Sequence, residues 1–370
     1  MTTRTKHRSH GGPHVRAGVG QALLAALLFG VSSPLAKLLL RDAPPQLLAG
    51  LLYAGSGLGL AAVWLLLRRV RRAARAGAAE ARLTRRDAPW LAAAIAFGGV
   101  IGPVLLMVGL ARTPASSASL LLNLEGVFTA LLAWVVFREN VDRRIALGMA
   151  AIVAGGVCLA WPGQVAWGGV AGPLMVAGAC ACWAVDNNLT QKVSGSDPVQ
   201  IAMLKGLAAG AVNVTIATAR GAAWPAGGTV GAAALLGFLA YGVSLVLFVR
   251  ALRSLGTART GAYFSLAPFV GGALGLVLFR ERVTVPFVLG AAAMAVGLWL
   301  HLTERHEHEH AHEAMAHEHP HVHDAHHQHA HGPSDPPVGG PDEPHTHWHE
   351  HEPLVHTHAH TPDIHHRHGH

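Results

Sequence analysis

From about Ala17 to Leu300, apolar runs of roughly twenty residues follow one another with only short polar gaps. A helix needs about twenty residues to cross the ~30 Å of bilayer hydrocarbon. In that medium a backbone N–H or C=O finds no water, so an open strand or irregular loop leaves polar groups unpaid. Ten successive runs therefore predict an all-α integral membrane protein of ten transmembrane helices. Their expected bounds are Ala17–Leu40, Gln46–Leu67, Pro89–Ala111, Ala115–Phe137, Ile145–Trp161, Val170–Thr190, Val199–Ala219, Val230–Leu252, Thr257–Phe279 and Val285–Leu302. Only 13% of the residues are charged, against about a quarter in soluble domains. The lipid bilayer is thus the first partner.

The basic residues give an orientation. Ten crossings put both ends of the core on one side. That side would carry nineteen Lys and Arg before the tail, including eight arginines between Arg68 and Arg86. The other side would carry five: Arg41, Arg112, Arg220, Arg280 and Arg282. By the positive-inside rule both termini are expected in the cytoplasm. The richness in Ala, Arg and Gly suits a GC-rich bacterium, so the expected location is an inner (plasma) membrane. The net charge of +7 is absorbed by this topology, and no nucleic-acid partner is expected. The three cysteines, Cys158, Cys180 and Cys182, all fall inside spans and form no disulfide framework.

The chain also repeats itself. Span 4 and span 9 each open on small polar residues and end on Phe-Arg-Glu, at Phe137-Arg138-Glu139 and Phe279-Arg280-Glu281. Gly148 falls on Gly290 at the same offset of about 142 residues. Earlier in each half, Phe29-Gly-Val31 falls on Trp183-Ala-Val185, and Ala43-Pro44-x-Gln46 on Asp197-Pro198-x-Gln200, about 154 residues apart. Five spans per copy is an odd number, so the second copy must cross the membrane in the opposite sense. Two inverted five-helix repeats are a recurring transporter architecture with the site near the midplane. The expected organisation is a basic N-terminus at 1–16, a first repeat at 17–161, a linker at 162–169, a second repeat at 170–302 and a tail at 303–370.

Small residues leading into an apolar helix and then Phe-Arg-Glu, twice, in a ten-span chain resemble the EamA branch of the drug/metabolite transporter superfamily, over about residues 17–302. The resemblance implies an exporter or exchanger with a central cavity lined by spans 1, 3, 4, 6, 8 and 9. It implies no particular substrate, since such proteins handle amino acids, nucleotide sugars, drugs and other metabolites. Two features depart from the usual pattern: acids within spans, and a long histidine tail.

Ionisable groups within a span usually face a cavity or a partner. Glu125, near the middle of span 4, reads as a proton carrier, a ligand for a cationic substrate, or a neutral acid bonded to a neighbouring helix. Asp186 lies in Trp183-Ala-Val-Asp-Asn-Asn-Leu189, where three consecutive polar residues cannot all face lipid. Asp186 and Asn187 are expected to line the cavity. Asp186 also shares a helix face with Met175 and Cys182, which could present sulfur and carboxylate to a metal or simply pack. Lys205 in span 7 is expected to pair with Asp186 or Glu125, to hold an anionic group, or to snorkel. Lys37, near the end of span 1, is expected to snorkel. Asn123, Tyr263 and Ser265 are expected as cavity hydrogen-bonders at matched depths of spans 4 and 9. Pro34 and Pro268 are expected to kink their helices. No phosphate loop and no nucleophile with its base stand out, so no enzyme is expected, and no cofactor is required.

Of 27 histidines, 24 lie between His301 and His370. This stretch cannot bury a core and is expected to be disordered. His306, His308, His310 and His312, and again His345, His347, His349 and His351, alternate with acids and small residues. Imidazole at this density is expected to bind Zn, Ni or Co. Three functions remain: a secondary active transporter of a small metabolite, a divalent-metal exporter fed by the tail, or a membrane-anchored metal buffer or sensor. Association into a homo-oligomer stays open.

Overall fold

The computed structural model describes residues 13–74, 87–137, 143–161, 167–191, 197–255 and 257–303, with 307–312, 315–321, 345–351 and 354–359 in the tail. The chain divides into two units, Met1–Glu304 and Arg305–His370. Within the first, ten helices are long and apolar enough to cross a membrane: Ala17–Leu39, Pro45–Leu66, Ala88–Arg112, Ala115–Val136, Arg143–Ala160, Gly169–Thr190, Val199–Ala219, Gly227–Ala251, Arg259–Phe279 and Val285–Leu302. They are numbered spans 1 to 10. The fold is the expected all-α membrane bundle, with bounds within a few residues of those read from the sequence. The end of the bundle that holds the first and last helix termini is called the terminal end, and the opposite one the far end.

Five spans are not plain α-helices. Span 1 is interrupted at Val31, between helices Pro13–Gly30 and Ser32–Leu39, three residues before Pro34. Span 4 is interrupted at Leu122 and Asn123, between Ala115–Leu121 and Leu124–Phe137. Span 9 is interrupted at Ser265 and Leu266, between Thr257–Phe264 and Ala267–Phe279. Asn123 and Ser265 are 142 positions apart, the same offset that aligns the two Phe-Arg-Glu signals. Spans 3 and 8 each contain a π-helical stretch, Ile95–Ile101 and Phe238–Val243. Span 6, by contrast, runs unbroken from Trp167 to Gln191 despite Pro173.

The spans pair 2 with 7, 5 with 10, 4 with 9, 3 with 6 and 1 with 8. Replacing each span by the one five places away leaves this pairing unchanged. Hydrocarbon gives no hydrophobic drive between helices, so small residues and close backbones must supply the contact. Spans 5 and 10 show how. A Cβ on Gly155 would lie 2.7 Å from the Gly290 carbonyl oxygen, and one on Gly297 2.6 Å from the Gly148 oxygen. Spans 2 and 7 meet in the same manner, with a Cβ on Gly206 falling 2.7 Å from the Gly57 nitrogen.

In the tail, Glu307–His312 pairs antiparallel with Leu354–Ala359, and Met315–His321 with His345–His351. Within the tail, for which disorder is expected, these residues form two two-stranded ladders.

Gly155→Leu is expected to force spans 5 and 10 apart. Overpacking of this kind costs about 1–3 kcal/mol or more, so thermal unfolding in detergent should shift down by several degrees. Gly231→Ala, where an added Cβ meets nothing within 4 Å, should leave the transition in place.

Candidate functional site

The polar residues of spans 2, 3, 4, 6 and 7 converge where span 3 becomes π-helical. Widening a helix to i→i+5 bonding disturbs its carbonyl ladder, and in hydrocarbon each freed oxygen needs a donor. The Gly98 carbonyl accepts from the Tyr53 hydroxyl at 2.9 Å and from the Trp183 indole N–H at 3.0 Å. The Gly99 carbonyl accepts from the Asn213 amide at 3.1 Å. Spans 2, 6 and 7 are thereby fastened to one turn of span 3. Glycine is required at 98 because Asp186 occupies the space a Cβ would need.

Span 6 carries the charged part. Asp186 is buried, and its two carboxylate oxygens lie 2.6 and 2.7 Å from Lys205 Nζ of span 7. The Thr190 hydroxyl donates to the same carboxylate at 2.9 Å and accepts from Lys205 at 3.2 Å. One residue further, the exposed Asn187 amide donates to Glu125 Oε1 of span 4 at 2.8 Å. Asp186 and Lys205 neutralise each other, while the hydrogen bond shown for the Glu125 carboxylate comes from a neutral amide. Of the three options for Lys205, pairing with Asp186 is the one the geometry adopts.

An aromatic wall adjoins this cluster. Tyr53 stacks at 5.6 Å on Tyr241, which sits in the π-helical stretch of span 8. Tyr241 lies 6.0 Å from Phe29, Phe29 lies 5.4 Å from Phe264, and Phe264 lies 4.8 Å from Phe248. Tyr53 belongs to both halves of the site, with its ring in the wall and its hydroxyl on Gly98.

Three expected residues do not join the cluster. Asn123 donates to the Leu120 carbonyl at 2.9 Å and contacts Met294 Sδ at 3.8 Å, so it caps the break in span 4 and faces span 10. The Ser265 hydroxyl is spent on the Gly261 carbonyl at 2.5 Å. Tyr263 packs near Ala22, Ala251 and Leu255. The matched depths are real, but they mark matched helix breaks. Spans 2 and 7 contribute instead, beyond the set the family resemblance implied. Tyr53, Trp183 and Asn213 were missed; the signal was the Gly98-Gly99 pair in mid-span with an amide buried in span 7.

A second polar cluster lies at the far end. Lys37 does not snorkel. It donates to the Leu110 carbonyl at 3.0 Å and to the Thr113 carbonyl, the last turn of span 3. A cation at a helix C-terminus is electrostatically favoured. Lys37 and Arg41 each lie 5.8 Å from the centre of the Phe279 ring. Beyond Phe279, Arg280 takes a left-handed φ of 51° and turns the chain back. Glu281 then accepts from the Ala115 and Ser116 backbone N–H groups at 2.6 and 3.0 Å, and from the Ser116 hydroxyl. The Glu of this Phe-Arg-Glu signal is therefore an N-cap for span 4, delivered by span 9. Arg138 and Glu139 of the other signal lie outside the described residues.

Among the described residues no group of three or more His, Cys, Asp or Glu could hold a metal ion. The Met175/Cys182/Asp186 face does not supply one, because Lys205 occupies both oxygens of Asp186. Of the tail histidines, His306 lies outside the described residues, and His308, His310, His312, His345, His347, His349 and His351 fall in the tail strands.

The model of the EamA-like transporter family matches the chain twice, over residues 16–161 and 170–303. The chain belongs to the EamA-like transporter family. It is a multi-pass membrane transporter, and the two matches fall on the two halves read from the sequence. A protein of Methanothermobacter thermautotrophicus (strain Delta H) described as an uncharacterized transporter is 28% identical over 295 residues, which is 75% of this chain and 84% of its own. A solved crystal structure 20% identical in sequence superposes with a TM-score of 0.56, covering 76% of this chain and 95% of its own. That likeness concerns the fold.

Lys205→Met leaves Asp186 as a buried charge without its partner, and breaking such a pair typically costs about 3–5 kcal/mol. The double change Lys205→Met with Asp186→Asn should recover most of the loss. A double-mutant cycle by thermal unfolding in detergent reads the difference; equal losses for single and double variants would show that the pair is not coupled.

Proposed function

We propose that this EamA-like protein is a secondary active transporter that moves a small metabolite by alternating access, with Glu125, Asn187, Asp186 and Lys205 at the site. The observation that carries the reading is the unequal packing of spans 4 and 9. Their far-end halves lie against each other: a Cβ on Gly275 would come 2.6 Å from the Ser116 nitrogen, and one on Gly271 2.9 Å from the Ser119 hydroxyl. Their terminal-end halves turn to different neighbours, Leu124–Phe137 to span 6 and Thr257–Phe264 to spans 1 and 8. This suits a state closed at the far end. The pairing of spans and the helix breaks at Asn123 and Ser265 support two inverted repeats that exchange these packings. The arginine bias supports a cytoplasmic terminal end.

Glu125 is the acid of the cluster left for a proton or a cationic group, because Lys205 already serves Asp186. An intramembrane acid poised this way is a common proton or ion relay. The test is flux in proteoliposomes, with labelled amines, amino acids, Zn, Ni and Co, with and without a pH gradient. A solute that accumulates in the native protein should lose its dependence on the gradient in Glu125→Gln. Unchanged coupling would remove Glu125 from the role. The tail is proposed to bind Zn, Ni or Co, and the same assay on a chain ending at Thr303 decides its part. Metal flux that falls on truncation would make the core a metal exporter; no metal flux from either chain leaves the tail a buffer.

Lys37 and Glu281 read as the latch of the closed far end. In a background without native cysteines, Ser32→Cys lies buried beyond the break of span 1. Adding Glu281→Gln or Lys37→Met should let a membrane-impermeant maleimide reach it several-fold faster. An unchanged labelling rate would show that the latch does not hold that end shut.

A further inference from the structure

The break in span 4 leaves a groove behind it. The far-end half of the span, Ala115–Leu121, is drawn onto span 9, while Leu124–Phe137 leans on span 6. Spans 5 and 6 touch each other little. Between the three lies a groove of about 540 Å³. Its floor is Leu121 and Leu124, both buried, and Phe128; its rim includes Val157, Trp161 and Leu174, which are 55%, 61% and 64% exposed. The size is that of a site for one small molecule, but such sites carry a few placed polar groups to fix a polar solute. Here every lining residue is apolar except for the indole N–H of Trp161 at the far-end mouth.

Span 5 runs toward the far end and span 6 starts from it, so the stretch from Val153 to Trp161 and from Val170 to Ala177 lies in the far half of the membrane. At that depth a water would have no partners, and apolar cavities stay dry. An empty groove would forfeit the dispersion contacts of its walls. The abundant molecule that can fill it is an alkyl chain. Trp is favoured at the level of lipid headgroups, which sets the head of that molecule beside Trp161. We infer that this groove is a binding site for one acyl chain of a diacyl phospholipid from the far-end leaflet. The site exists only while span 4 is drawn onto span 9, so the bound chain favours the packing seen here. The inference rests on the membrane-spanning fold and not on what the core carries.

The test uses the full chain in nanodiscs that contain phosphatidylglycerol with a diazirine in one acyl chain. Photolabelling is mapped by mass spectrometry. Residues of spans 4 to 6 around the groove should be labelled at least tenfold more than the stretch around Val288, an exposed position of span 10. Val157→Trp combined with Leu174→Trp should cut groove labelling about tenfold, and Val288→Trp should not. Should the paired change fail to fold, Gly156→Leu fills the groove from span 5. The nearest atoms to a Cβ there belong to Leu121 and Leu124, at 3.6 Å. Equal labelling of groove and control, labelling that survives filling, or labelling by free diazirine stearate that the phospholipid does not reproduce would each overturn the assignment.

Discussion

In hydrocarbon a carbonyl that leaves its helix ladder must be met by another protein group, and the core of this protein depends on how that requirement is satisfied. In span 3 the π-helical stretch directs the Gly102 N–H to Phe97 and Pro103 offers no N–H, so the carbonyls of Gly98 and Gly99 are met instead by Tyr53, Trp183 and Asn213 from three other spans. At the break in span 4 the Leu122 carbonyl keeps a short-range bond from the Glu125 N–H at 3.1 Å, and the Cys180 thiol of span 6 approaches the Leu121 and Leu122 carbonyls at 3.6 and 3.9 Å. Ser244 of span 8 reaches the Ala25 carbonyl of span 1 at 2.9 Å. Each irregularity becomes a tie between helices. Polar residues in the spans therefore serve two purposes, and only some are left for a solute.

That division decides what was legible in the sequence. Hydropathy and length gave the ten spans, because both follow directly from bilayer thickness. The repeat was visible in Phe-Arg-Glu and in Gly148 over Gly290, two glycines that both serve the close packing of spans 5 and 10. The pairing of Asp186 with Lys205 was one of several weighed, because two opposite charges at compatible depths have few other partners. The roles of Asn123 and Ser265 were not legible. Composition says that a polar residue sits in a span, but whether it faces a cavity or its own broken turn depends on a backbone detail. The same holds for Glu281. In sequence it closes an apolar run, whereas in three dimensions it caps a helix from the other repeat.

The two halves have also diverged where their first helices correspond. Ser32-Ser33-Pro34 of span 1 lies 154 positions before Asp186-Asn187-Asn188 of span 6. Proline cannot continue a helix without losing a hydrogen bond, and span 1 is interrupted just before its Ser-Ser-Pro. Asparagine can, and span 6 continues. One copy has kept a hinge and the other a straight rod with three polar side chains. Duplication thus lets one helix bend while its counterpart carries the polar side chains.

Asp186 and Lys205 both belong to the second repeat, whereas Glu125 belongs to the first and meets Asn187 across the seam. If the repeats rock against each other, the ion pair travels as one neutral body. The membrane potential acts at about 2.3 kcal/mol per charge per 100 mV, and on such a body it does almost no work. Asp186 and Lys205 would keep each other as counter-ions throughout such a stroke. The voltage dependence of a full cycle would then reside in whatever occupies Glu125, so the electrical signature of transport would report the cargo rather than the carrier.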